Sequence, residues 1–277
     1  MTKKNLNEYR IIDVHCHVFP EKIAQSAANN IGAYYTLPVN GDGTLAGMVN
    51  LSQGINICKF VICSAATKAV NVEHANDFIY NTVKSHNNLI GLGTTHADYN
   101  DNEKEFERMI QMDMRGIKLH TDFQGFDIDT PKMFTAYKLC EKYRFPVLFH
   151  VGDPKCNHSR ADKLYNIKQR FPDLIIIAAH MGGYSTKDLA EKYFVGTDVY
   201  FDCSEWHNYM SADELVDMIH RHGVDKILFG SDYPLYSAEQ TARMLLEQAH
   251  LTDEELEKIF YTNAAKLFKI NCNNPNH

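Results

Sequence analysis

The chain has 277 residues, 44% of them hydrophobic and 23% charged, which is enough apolar material to bury a large core and excludes global disorder. Its formal charge of −7, from 28 Lys and Arg against 35 Asp and Glu, comes without a basic stripe, which argues against a nucleic-acid surface and for a small-molecule substrate. No apolar run approaches the roughly 18 residues of a membrane span, so no membrane partner is expected.

The opening ten residues are polar and lack the apolar region of a signal peptide. Seven cysteines (Cys16, Cys58, Cys63, Cys140, Cys156, Cys203 and Cys272) form no CxxC pair, and their odd number fits a reducing compartment. The expectation is a cytoplasmic protein. Apolar runs at residues 11–17, 59–64, 89–95, 116–120, 146–150, 174–180, 199–203 and 226–232 read as eight strands. Amphipathic stretches at 73–85, 102–112, 131–142, 160–170, 186–193, 212–221 and 238–248 read as the helices between and after them. Asp129-Thr130-Pro131 and Ser237 carry helix-start signals. Residues 40–44 look like a turn in an extended first connection, and 252–268 like an extra helix or pair. The pattern predicts an α/β fold: one domain over residues 1–277, a (β/α)8 TIM barrel with extra C-terminal helices. An open doubly wound sheet is the rival, but no GxGxxG follows the first strand.

Histidines end several of these runs. In Asp13-Val14-His15-Cys16-His17, alternation puts both imidazoles on one strand face, where they can chelate a metal or pack as core residues. Strand four places Lys118 and His120 on one face, strands five and six end in His150 and His180, and strand eight ends in Asp232. In a barrel these ends share one rim, and polar groups pointing there are costly to desolvate without partners. His15, His17, His150, His180 and Asp232 are nitrogen and oxygen donors suited to zinc or another divalent ion. Lys118 to His150, His150 to His180 and His180 to Asp232 span 32, 30 and 52 residues, which are one, one and two β/α units.

The ordered set of Asp13 to His17, His150, His180 and Phe229-Gly230-Ser231-Asp232-Tyr233-Pro234 resembles the metal-dependent amidohydrolase superfamily, in its amidohydrolase-related branch. Thr262-Asn263-Ala264-Ala265-Lys266-Leu267-Phe268 is similar to that family's closing helix, so the resemblance covers nearly the whole chain. It implies a metal held by His15, His17, His150 and Asp232, with His180 a further ligand or an acid/base group. In binuclear members such as dihydroorotase and urease, a strand-four lysine in a setting like that of Lys118 is carboxylated and bridges two metals. Single-metal members include aromatic-acid decarboxylases. The implied cofactor is therefore one or two divalent ions, foremost zinc, with Lys118 carboxylated, neutral or turned toward a substrate anion.

The expected reaction is hydrolysis of an amide, ester or lactone, with Asp232 moving the proton of an activated water. His180 is its alternative or helper, and His120 contacts a substrate carbonyl or anion. Non-oxidative decarboxylation of an aromatic or unsaturated acid is the other enzymatic reading. A non-catalytic metal-binding protein would instead have a closed coordination shell. His96, Asp98, Trp206, His207 and residues 123–126 either line a pocket or stabilise loops. Cys16 and Cys203 read as small buried hydrophobes, and His74, His86, His158, His220, His222, His250 and His277 as solvated. A homodimer is compatible with such a barrel, though no sequence feature requires one.

Overall fold

The structure, a computed structural model, describes residues 4–270; Cys272 and His277 lie outside the described residues. All eight expected strands form: β1 (Ile11–His17), β2 (Ile57–Cys63), β3 (Leu89–Gly91), β4 (Ile117–Leu119), β5 (Val147–Phe149), β6 (Ile176–Ala178), β7 (Tyr200–Asp202) and β8 (Ile227–Leu228). Helical segments separate each strand from the next, and no helix among the described residues is long and apolar enough to cross a membrane. The chain groups into two compact units. One contains the segment up to Ile62, Asn87–Leu89 and the segment from Cys203 onward; the other is Cys63–His86 with Ile90–Asp202.

In the first unit, β1 is buried along its whole length and neighbours β2. The chain leaving β8 runs parallel to β1: Val14 N–H donates to the Phe229 carbonyl (2.9 Å), Asp232 N–H to that of His15 (2.9 Å) and His17 N–H to that of Tyr233 (2.8 Å). The C-terminal segment packs on this ladder as Asp253–Glu257, a π-helical turn Lys258–Thr262 and Asn263–Phe268. Phe229 N–H donates to the Ile259 carbonyl (3.0 Å), and the Asn263 side chain donates to the carbonyls of Val224 and Ile227, each at 2.8 Å. Asn263 thereby satisfies one carbonyl in the turn before β8 and one at its first residue, a reason for the asparagine in the closing helix.

In the second unit, β4, β5, β6 and β7 are parallel and in order, with Ile117 opposite Val147, Val147 opposite Ile176 and Ile177 opposite Tyr200. β4, β5 and β6 are buried at every residue, as in a sheet covered on both faces, and are apolar throughout except for Lys118. This register aligns the residues that follow the strands, which is what brings their polar ends together.

Strands β2 to β8 end before the apolar runs that predict them, and after β3 side chains take over from the ladder. After β3, Thr94 N–H donates to Asn76 Oδ1 (2.7 Å) and the Thr94 hydroxyl to the Lys118 carbonyl (2.9 Å). The first connection holds two helices that the apolar pattern does not reveal, Glu21–Tyr35 and Leu45–Asn50. The first of these buries only Ala24, Ala28 and Gly32 while Ile23 is exposed, so its inward face is a stripe of small residues. Thr130 makes no side-chain cap, whereas Ser237 accepts from Gln240 N–H as expected. His222 corrects the expectation of a solvated residue: it falls on the inward face of helix Ala212–His222 with Leu215, Met218 and Ile219, and is buried.

Candidate metal centre

Alternation along β1 turns Asp13, His15 and His17 to one side and Ile12, Val14 and Cys16 to the other. His15 Nε2 and His17 Nε2 lie 3.2 Å apart. Asp232 Oδ1 stands 3.0 Å from the first and 3.4 Å from the second. All three residues are buried, and their donor atoms fall within 4.8 Å of one another. Two imidazoles and a carboxylate on a common point form a donor set that fits a divalent cation. The ladder between β1 and residues 229–233 fixes two of these residues at once, since Asp232 gives its N–H to the His15 carbonyl. Asp232 itself adopts φ 59°, a left-handed conformation that aims its carboxylate back at β1. Ser204 Oγ lies 3.4 Å from His15 Nδ1, so the ring is contacted at both nitrogens.

Asp13 has no assigned role in the sequence reading, yet it ties this arrangement together. Its Oδ1 accepts from His15 N–H (3.1 Å) and from Ser231 N–H (3.0 Å), clamping the HxH strand to the segment that carries Asp232. Complete burial pushes the Asp13 carboxyl up to about 6, against the lowering effect of the hydrogen bonds from Ser231 and His15.

The second unit gathers the other expected residues. Lys118 lies in β4 and is fully buried. His120, one residue past β4, is the N-cap of Thr121–Gln124, its imidazole accepting from Phe123 N–H. Its ring is sandwiched between Phe123 and His150, each stacked within a few degrees of parallel at a centroid distance of 4.0 Å. His150 Nδ1 is 3.0 Å from His180 Nε2, and His180 N–H donates to Asp202 Oδ1 (3.2 Å). His180 and Met181 take φ 58° and 53°, so the chain turns sharply where β6 ends.

The structure thus brings His15, His17 and Asp232 together in one unit and His120, His150 and His180 in the other. Asp202, Asp122 and Asp153 are buried carboxylates near these groups that sequence reasoning passed over. A carboxylate inside or just after an apolar run, as in Tyr200-Phe201-Asp202, was the available signal. Asp122 sits above the usual carboxylate range because of its burial and the nearby charge of Asp153. His96 is held within its loop, with Nε2 3.1 Å from the Gln124 carbonyl and Nδ1 accepting from Asp98 N–H. Trp206 is buried, and burial holds the neighbouring His207 below the ordinary imidazole range.

Eight strands alternating with helices, and imidazoles and carboxylates gathered where strands end, define an α/β protein with donor groups that could hold a metal ion. Residues 12–270 match the family model described as amidohydrolase, and the chain belongs to that family. Solved structures share its fold. An uncharacterized TIM-barrel protein from Bordetella bronchiseptica superposes with a TM-score of 0.74 at 15% identity, covering 94% of this chain and 99% of its own. A putative amidohydrolase from Staphylococcus aureus gives 0.70 at 20% identity, with 94% and 99% covered. A dihydroxybenzoic acid decarboxylase from Polaromonas sp., solved with manganese and the inhibitor 2-nitroresorcinol, gives 0.72 at 18%, with 95% and 97% covered. The fold is that of a (β/α)8 TIM barrel.

Proposed function

We propose that the protein is a metal-dependent hydrolase that cleaves an amide, ester or lactone of a small molecule. The observation that carries this reading is the buried convergence of His15, His17 and Asp232. These three residues would hold a divalent cation, zinc or manganese by donor chemistry. Bound there, such an ion would supply Lewis acidity toward a water molecule and a substrate carbonyl oxygen. Asp232 accepts the proton of the attacking water and returns it to the leaving group. His180, its Nε2 bonded to His150 Nδ1, is the second group able to take up and release a proton. In the alternative in which His180 is a ligand and not the proton carrier, Lys118, His150 and His180 form a further donor set, with Lys118 carboxylated or held toward a substrate anion. His120, pinned flat between two rings, has its ring edge as its polar face and is assigned to a substrate carbonyl or carboxylate.

The second reading is non-oxidative decarboxylation of an aromatic acid, and the similarity to the Polaromonas decarboxylase favours it. One experiment separates the two. The metal-loaded protein is offered amides, esters, lactones and hydroxybenzoates in water enriched in oxygen-18 and deuterium. Hydrolysis places one solvent oxygen in the product, whereas decarboxylation releases carbon dioxide and places deuterium on carbon. Turnover with carbon-bound deuterium and no solvent oxygen would overturn the hydrolytic assignment.

A further inference from the structure

We propose that the segments following β4 and β5 form an additional divalent-cation site, with Asp122, Asp153 and Cys156 as its ligands and a zinc-class ion as its occupant. A carboxylate oxygen of each aspartate and the Cys156 sulfur lie within 4.8 Å of one another, all in the second unit. Backbone N–H groups hold one oxygen of each carboxylate in place. His158 and Ser159 donate to Asp122 Oδ1 at 3.1 and 3.3 Å, and Lys155 and Cys156 donate to Asp153 Oδ1 at 2.8 and 2.9 Å. The turn Asp153-Pro154-Lys155-Cys156 is closed by those last two bonds, which brings the thiol back beside the carboxylate that organises it.

The independent indication of a ligand is at Asp122. The residue is only 9% exposed, and its Oδ2 is buried with no hydrogen-bond partner. A buried carboxylate oxygen without a donor carries a desolvation cost that a coordinated cation removes. Asp153 Oδ2 also lies 4.0 Å from His150 Nε2, and the two neighbouring carboxylates repel one another, a repulsion that a cation among them removes. A sulfur ligand with two oxygens selects an ion of intermediate softness over magnesium or calcium. Asp122 also has an oxygen within 4.8 Å of nitrogens of His120 and His150, so the site adjoins the imidazole stack. Cys156 is what distinguishes it chemically, because no thiol belongs to the donor sets assigned above.

Cobalt(II) titration of the full chain tests this, read by near-ultraviolet thiolate-to-cobalt charge-transfer absorption and by bound cobalt per chain. The band is expected in the wild type and in Asp232→Asn, and it is expected to vanish in Cys156→Ser with the loss of one bound cobalt. Asp122→Asn, checked for folding by circular dichroism, should weaken the band while Cys156 remains present. Absence of the band in the wild type, or its survival with unchanged cobalt content in Cys156→Ser, would overturn the proposal. Loss of cobalt in Asp232→Asn with the band intact would bear only on the His15, His17 and Asp232 centre.

Discussion

At the scale of single residues, the candidate centre is marked by backbone conformation as well as by chemistry. Asp232 at φ 59° and His180 at φ 58° occupy the left-handed region, which costs a non-glycine residue on the order of 1–3 kcal/mol and persists where surrounding contacts enforce it. Aspartate, asparagine and histidine tolerate it best. Asp232→Asn therefore keeps both shape and backbone, and the variant should fold as the wild type does. Its turnover should fall by about 10²–10⁴, the usual contribution of a positioned acid or base. Circular dichroism and steady-state rates on a confirmed substrate check both halves, and an unchanged rate refutes the proton role of Asp232. The donor residues were legible in the sequence because histidines at the ends of apolar runs are rare without a reason. Asp13 was not legible as a clamp, because its two partners, the N–H groups of His15 and Ser231, meet only when the last strand lies beside the first.

Helices and strands show where local pattern suffices. The helix Asp253–Glu257 begins with a capping box in which Thr252 accepts from Glu255 N–H while the Glu255 carboxylate accepts from Thr252 N–H. Burial pushes the Glu255 carboxyl up, but hydrogen bonds from the Thr252 N–H and hydroxyl and from His220 outweigh it and hold the group below the ordinary glutamate range. A carboxyl depressed in the folded state stabilises fully above its unfolded value, and this contribution is lost as pH falls through its folded value. Glu255→Gln should thus lower stability near neutrality and lose less on acidification below about pH 4.5 than the wild type. Urea unfolding of both proteins between roughly pH 3 and 7 measures the difference, and parallel curves would contradict it. The helix Glu21–Tyr35 shows where pattern fails. Its buried stripe of Ala24, Ala28 and Gly32 carries almost no hydrophobic signal, and a Cβ on Gly32 would meet Val39 Cγ2 at 2.3 Å. Close approach, not apolar periodicity, seats this helix.

For the whole molecule, the family match over residues 12–270 and the proposed metal chemistry make one demand: a cation that binds only the folded chain must stabilise it. At a hundredfold excess over its Kd, a single ion contributes about 2.7 kcal/mol, or roughly 5–10 °C in Tm for a chain of this size. Zinc or manganese should raise the melting temperature, a chelator should reverse the gain, and the paired substitution His15→Ala with His17→Ala should shrink it. Differential scanning calorimetry with metal analysis reads all three, and a shift of equal size in the double variant would contradict the assignment.

The order of the eight strands, the helices with strong amphipathic faces and the candidate ligands could be read directly from the residues, because hydrophobic period and polar strand ends are properties of neighbours along the chain. Only the tertiary structure decided that Asp13 joins β1 to the segment after β8, that Asp202 holds the His180 backbone and that Asp122 meets Asp153 and Cys156. Those pairings link positions as much as 218 residues apart. A hydrogen bond or a donor cluster over such a separation leaves no trace in local pattern, since it depends on which strand ends the register places side by side.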